Sequence, residues 1–213
     1  MPRDAGETRE RLIDAGQHMF AVDGVFTAPL KRVVDAAGQR NPSALHYHFG
    51  GRTGLLFAII ERHNAQIEAV RREMLDATVD PSLHDLVRAF VLPQSNLLVD
   101  EGGREFLSII SQLSDTFDRW DDDEKTTPPE ALRTMRMIDA AMPSGLSPLL
   151  RRERITRFLE LVTEALGSRA RQVASGRALK IDDAAFIANL IDMAVGALSA
   201  PTSLEDGPAR SAG

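Results

Sequence analysis

From Thr8 to Val22 the apolar residues Leu12, Ile13, Ala15, Met19, Phe20 and Val22 recur at helical spacing, with Arg9, Glu10, Arg11, Asp14 and Gln17 between them. That alternation predicts an amphipathic helix, with Thr8 as its N-cap and Asp23-Gly24 as its stop. A shorter helix is expected from Pro29 to Ala37, burying Leu30, Val33, Val34 and Ala37 and ending at Gly38. Asn41-Pro42 reads as the next start, because Asn accepts bonds from free helix N–H groups and Pro has no N–H to orphan. In this third helix Leu45 and Phe49 face inward, Ser43, His46 and Tyr47 face outward, and Gly50-Gly51 closes it. A long helix follows from Arg52 to Asp76, with Leu55, Leu56, Ile59, Ile60, Ile67, Val70 and Met74 in register and Gly54 weakening it.

Strongly apolar faces predict further helices near 82–98, 103–117, 129–142, 148–174 and 182–200. The acidic, Pro-bearing stretch Asp121–Pro129 reads as a solvated loop, and residues 201–213 as a frayed tail. No internal repeat is seen. The expected organisation is all-α: residues 1–51 as a small three-helix unit, 52–200 as a larger helical domain, and 201–213 as tail, with the long helix bridging the first two.

Composition narrows the classes. The chain has 213 residues and no cysteine, which removes disulfides, thiolate metal sites and thiol nucleophiles and suits a reducing compartment. No apolar run approaches the roughly 20 residues that span a bilayer, and no secretory pattern opens the chain, so a cytoplasmic, membrane-free protein is expected. The formal charge of −6 means that any nucleic-acid contact must come from a local patch.

Two short helices joined by a Gly-bearing turn and braced by a preceding helix form the layout of a helix-turn-helix, whose last helix enters the major groove of DNA. The string Ala37-Gly38-Gln39-Arg40-Asn41-Pro42-Ser43-Ala44-Leu45-His46-Tyr47-His48-Phe49-Gly50, followed by Arg52, Leu55 and Leu56, sharpens this. With Thr8-Arg9-Glu10-Arg11-Leu12-Ile13-Asp14-Ala15 and Phe20–Gly24 before it, this string resembles the TetR family over about the first 60 residues. The resemblance implies a DNA-binding N-terminal domain and a C-terminal bundle that dimerises and binds a small ligand. It implies in turn a ligand-responsive repressor acting as a homodimer on a palindromic double-stranded operator. By position it implies Ser43, Ala44 and Tyr47 at base edges or a thymine methyl, Lys31 at a base or phosphate, His46, His48 and Arg52 near phosphates, and Asn41 among the DNA-binding residues. The sequence departs from the family at Ala28, where Thr27 is the substitute cap and phosphate contact, at Val34, and in a turn one residue longer.

Plainer readings stand beside these. His46-Tyr47-His48 can simply cap a bundle, and residues two apart on a helix point away from each other, which disfavours a metal site there. His18, His63 and His84 read as surface residues. No P-loop, dinucleotide fingerprint, serine elbow or paired catalytic carboxylates occur, so neither an enzyme nor a cofactor is expected. Phe90, Phe106, Ile110, Leu113, Phe117, Trp120, Met135 and Phe158, with Ile109, Met142 and Met193, are candidates to line a pocket for an apolar effector, with Gln112, Asp115 and Arg119 as polar contacts. Equally, they can be ordinary core. Phe158, Val162, Leu166, Ile187, Ile191 and Leu198 on the last two helices are candidates for a two-fold interface, against complete burial within one copy. Two rival classes stay open: a helical dimer that binds a hydrophobic molecule without DNA, and a bundle enzyme.

Overall fold

A computed structural model describes residues 2–41, 43–114 and 127–203. Among these, every regular element is helical: α1 (Pro2–Asp23), α2 (Leu30–Ala36), α3 (Ala44–Phe49), α4 (Arg52–Asp76), α5 (Leu83–Ser95), α6 (Glu101–Ser111), α7 (Pro129–Ala141), α8 (Pro148–Ala174) and α9 (Asp183–Ser199). A 3-10 turn, Asn96–Leu98, links α5 to α6.

Local chemistry explains most boundaries. The Ser82 hydroxyl accepts from the Asp85 N–H while the Asp85 carboxylate accepts from the Ser82 N–H, a reciprocal capping box at the start of α5. Asp100, Ser147 and Asp182 cap α6, α8 and α9 through their side chains. The Asp100 cap starts α6 at Glu101 rather than 103. Thr8 is not a cap: α1 begins at Pro2, and its polar first turns are supported by the Arg11–Glu7 pair one turn apart. Pro42, the far end of the helix expected to reach 117, most of the loop expected at 121–129, and residues 204–213 of the expected tail lie outside the described residues.

Two apolar regions merge through α4. At the N-terminal end Leu12, Ile13 and Phe20 of α1, Val33 and Val34 of α2 and Leu45 of α3 close over Leu55 and Ile59. Leu55 lies directly against Gly16, where a side chain on α1 would collide with it. Farther along, Ile67 and Leu75 of α4 join a core built from α5, α6, α7, α8 and α9. In that core α8 packs along α6, Gly167 meeting Ser111 without room for a Cβ, and α9 covers α5 and α8.

Candidate nucleic-acid interface

The shortest α-helix among the described residues, α3, buries one side and leaves a polar side exposed. Ala44 and Leu45 of α3 are buried, whereas Ser43, His46 and Tyr47 face outward and Tyr47 is 84% exposed. The Asn41 carboxamide oxygen accepts the Ser43 N–H at 2.9 Å, fixing the turn into α3 two residues before the helix proper. At the other end Gly50 adopts φ 70° and returns its N–H to the His46 carbonyl at 2.8 Å. Gly51 then turns the chain into α4 with φ 133°. Gly54, expected only to weaken α4, is required by the packing: a Cβ there would run into the Phe49 carbonyl. The Arg9 guanidinium sits 5.4 Å from the Phe49 ring centroid, so α1 and α4 both hold α3 from behind.

This geometry sorts the residues expected at DNA. Ser43, His46, Tyr47 and Lys31 are exposed on the same N-terminal unit, and His48, partly exposed, meets the Tyr47 ring edge-on at 5.1 Å. Ala44 is buried in the inner face of α3, too deep for a base edge. Thr27 does not cap α2, whose first turn follows Pro29 without a side-chain cap; its hydroxyl donates back to the Asp23 carbonyl. Arg52, expected at a phosphate, donates instead to the carbonyls of Val25 and Ala28, both at 2.6 Å, with its guanidinium over the Phe20 ring. It ties the start of α4 to the turn between α1 and α2. Arg40, exposed in the turn just before α3, was not singled out from the sequence, although a cation beside a recognition helix is the charge signal such a site gives.

Relatives point the same way. The chain is 28% identical over 107 residues to the HTH-type transcriptional regulator SrpR of Pseudomonas putida, covering 50% of this chain and 47% of that protein. It is likewise 28% identical over 107 residues to the uncharacterized HTH-type transcriptional regulator TtgW, also of Pseudomonas putida, covering 50% of this chain and 75% of that protein. The match thus spans about half the length of the first relative. No protein-family model matches the sequence.

Behind the interface, side-chain amides join the N-terminal unit to the bundle. Gln112 on the turn after α6 accepts from the Val25 N–H at 2.8 Å and donates to the Phe20 carbonyl at 3.1 Å. Gln17 of α1 donates to the Gly102 carbonyl and to Glu105, and accepts from the His63 Nε2–H at 2.8 Å. His63, expected at the surface, is therefore half-buried, its ring stacked on Phe106 at 4.4 Å. Burial pushes its imidazole below the ordinary value, Arg62 adds to that, and Asp100 pulls the other way. His18 and His84 are exposed, His18 meeting Glu105 at 2.6 Å.

Most candidate pocket residues fill the core instead. Phe90 and Phe158 pack ring to ring at 5.1 Å and Phe106 stacks against the His63 ring, all three phenylalanines buried. Ile110 and Leu113 are half-buried against the same core, and Phe117, Trp120, Asp115 and Arg119 lie outside the described residues. Among the described residues of the set, Met135 borders a cleft of about 400 Å³ between α7 and α8. The expected interface residues are likewise internal: Phe158, Val162, Leu166, Ile191 and Leu198 are buried within one copy, with Ile187 half-buried. The outer face of α9 carries Ala185, Ala188, Asn189, Asp192, Met193, Gly196 and Ala197, and Met193 is 52% exposed. Among the described residues no cluster of His, Asp and Glu has metal-ligand geometry, and no helix is long and apolar enough to cross a membrane.

Proposed function

We propose that this protein is a DNA-binding transcriptional regulator of the TetR type, a homodimer that represses from a palindromic operator and releases it on binding a small effector. Residues 1–51 form the DNA-reading unit, and residues 52–200 the sensing and dimerising domain. The reading is carried by α3, a helix backed on every inner side by α1, α2 and α4 that leaves Ser43, His46 and Tyr47 open to solvent. Such a face has little structural use and fits a major groove. Lys31 of α2 and Arg40 in the turn before α3 are exposed cations in a chain of net charge −6, which supports a local phosphate contact. Both relatives are named as transcriptional regulators, which supports the same function. Between Ala184 and Ala197 the outer face of α9 is apolar apart from Asn189 and Asp192, which supports pairing of two copies through that helix.

Selection of bound fragments from a random double-stranded DNA library tests this reading. The expected product is an inverted repeat whose halves lie roughly one helical turn, about 34–36 Å, or a multiple of it apart. Recovery of no enriched sequence at low salt would overturn it and favour the rival of a ligand-binding dimer without DNA.

A further inference from the structure

The end of α6 reaches into the N-terminal unit through Gln112. Expected from the sequence to meet a ligand, this side chain is committed to protein groups instead. Its Oε1 accepts the Val25 N–H at 2.8 Å, and its amide nitrogen donates to the Phe20 and Ser108 carbonyls, both at 3.1 Å. The amide cannot be turned over, because carbonyls only accept and a backbone N–H only donates. All these partners are main-chain groups, so Gln112 fixes where the backbone of α1 and of the following turn lies.

Val25 is thereby held from two bodies. Its N–H is bound from the bundle by Gln112, and its carbonyl is bound from the first turn of α4 by Arg52, which also takes the Ala28 carbonyl. Between these groups the turn closes on itself, the Ala28 N–H donating to the Gly24 carbonyl at 2.9 Å. The chain enters α2 from this turn, and α3 is seated between α2 and the start of α4. On the other side the end of α6 is anchored to α8: Ser111 lies against Gly167 where a Cβ would collide, and its hydroxyl accepts from Arg171 at 2.6 Å. A continuous line of contacts thus runs from α8 through Ser111, Gln112 and Val25 to Arg52, beside α3.

Although α4 runs through both parts, a long helix bends, and by itself it does not set the tilt of α1 and its turn against the bundle. We infer that Gln112 is the positioning residue that sets this tilt, and that through it the bundle fixes the spacing between operator halves that a pair of copies accepts. The outer face of α3 chooses bases, whereas the link to the bundle chooses the distance at which two such faces are presented. Each base pair inserted between the halves moves one of them about 3.4 Å along the DNA axis and roughly a tenth of a turn around it. A stiff link rejects that displacement and a slack one follows it. Only the operator step rests on the regulator reading; the tilt does not.

The chain has no cysteine, so Ala36→Cys on α2 and Ala141→Cys on α7, both at exposed positions, place one spin label on the N-terminal unit and one on the bundle. With labelled chain diluted into unlabelled chain, pulsed dipolar spectroscopy reads the distance within one copy, without DNA. The parent is expected to give a narrow distribution, and Gln112→Met, similar in length but without the amide bonds, a broader or displaced one with a cooperative melt retained. Gln112→Glu, which keeps an acceptor for the Val25 N–H, gives the same comparison with a smaller disturbance. Gel shifts then compare the selected operator with versions carrying one base pair more or less between the halves. The parent is expected to lose about tenfold or more in affinity on the altered spacings, and Gln112→Met about threefold or less, while ranking base substitutions as the parent does. A distance distribution that both variants leave unchanged, or an affinity loss that is equal at every spacing, would overturn the assignment. If the label distance responds to Gln112 but the parent binds no DNA, the regulator reading falls and the tilt stands; if DNA is bound and the distance does not respond, only the role of Gln112 falls.

Discussion

Tyr47 and Arg52 stand five positions apart and illustrate opposite uses of a polar side chain. Tyr47 contacts little of its own protein, so Tyr47→Ala should change stability by no more than about 0.5 kcal/mol. On DNA the same change should alter operator choice by about 1–3 kcal/mol at the base pair it faces. Arg52 donates to two carbonyls of the turn between α1 and α2. Its removal should therefore cost about 1.5–3 kcal/mol of folding free energy, the range for bonds involving a charged group. Urea unfolding without DNA, set beside binding titrations at fixed salt, separates the two; an Arg52→Ala variant as stable as the parent would return that residue to the phosphate. Sequence position alone could not make this distinction. It shows a cation at the start of a helix, but not that the preceding turn brings two carbonyls within its reach.

At the scale of elements the sequence was most informative where periodicity and caps coincide. The bounds of α4 and α8 follow from Gly50-Gly51 and Ser147-Pro148 together with long apolar stripes, and both helices have the expected extents. The first turns of α1 were hidden because they bury no apolar stripe. The candidate pocket was ambiguous for a different reason: an apolar residue at helical spacing must be covered by something, and the pattern does not say whether by a ligand or, as for Phe90, by the ring of Phe158. Charge at element junctions was equally hidden. Arg71, with 3% of its side chain exposed, is paired with Glu68, donates to the Phe90 carbonyl and lies over the Phe90 ring. Glu68→Ala should cost about 3–5 kcal/mol, since it strands a buried guanidinium and uncaps α7 together. Arg71→Met should cost less, because the Glu68 carboxylate keeps the N–H groups of Glu130 and Ala131. Equal losses in denaturant midpoint would refute this division of roles.

The junction of α1, α4 and α6 adds a pH dependence. His63 in the folded chain holds its proton less readily than in the unfolded one. As pH falls through the ordinary imidazole value, about 6.5, the unfolded chain gains a proton that the folded chain declines, and stability drops. The drop ends once the folded value is also passed; above the ordinary value this group contributes no pH dependence. Urea midpoints at pH 7.5 and at progressively lower pH should show the loss in the parent chain and a smaller one in His63→Gln.

For the whole molecule, the proposed pairing of two copies is the property to test. Periodicity marked two broadly apolar terminal helices; burial in the structure then shifted the candidate surface from Phe158, Val162 and Leu166 to the outer side of α9. Met193→Glu places a charge in the middle of that side. Sedimentation equilibrium should show the mass fall from two copies to one while the helical signal is retained, and an unchanged dimer would move the interface elsewhere.

The way α4 is shared has one more consequence. Leu55 and Ile59 complete the hydrophobic interior behind α3, while Ile67 and Leu75 of the same rod complete that of the bundle. Neither half can lose its wall without the other losing a continuous helix, so heating should give a single endotherm rather than two. A fragment cut at residue 51 would not be a portable DNA-binding module, because it would lack the side of its own interior that α4 supplies.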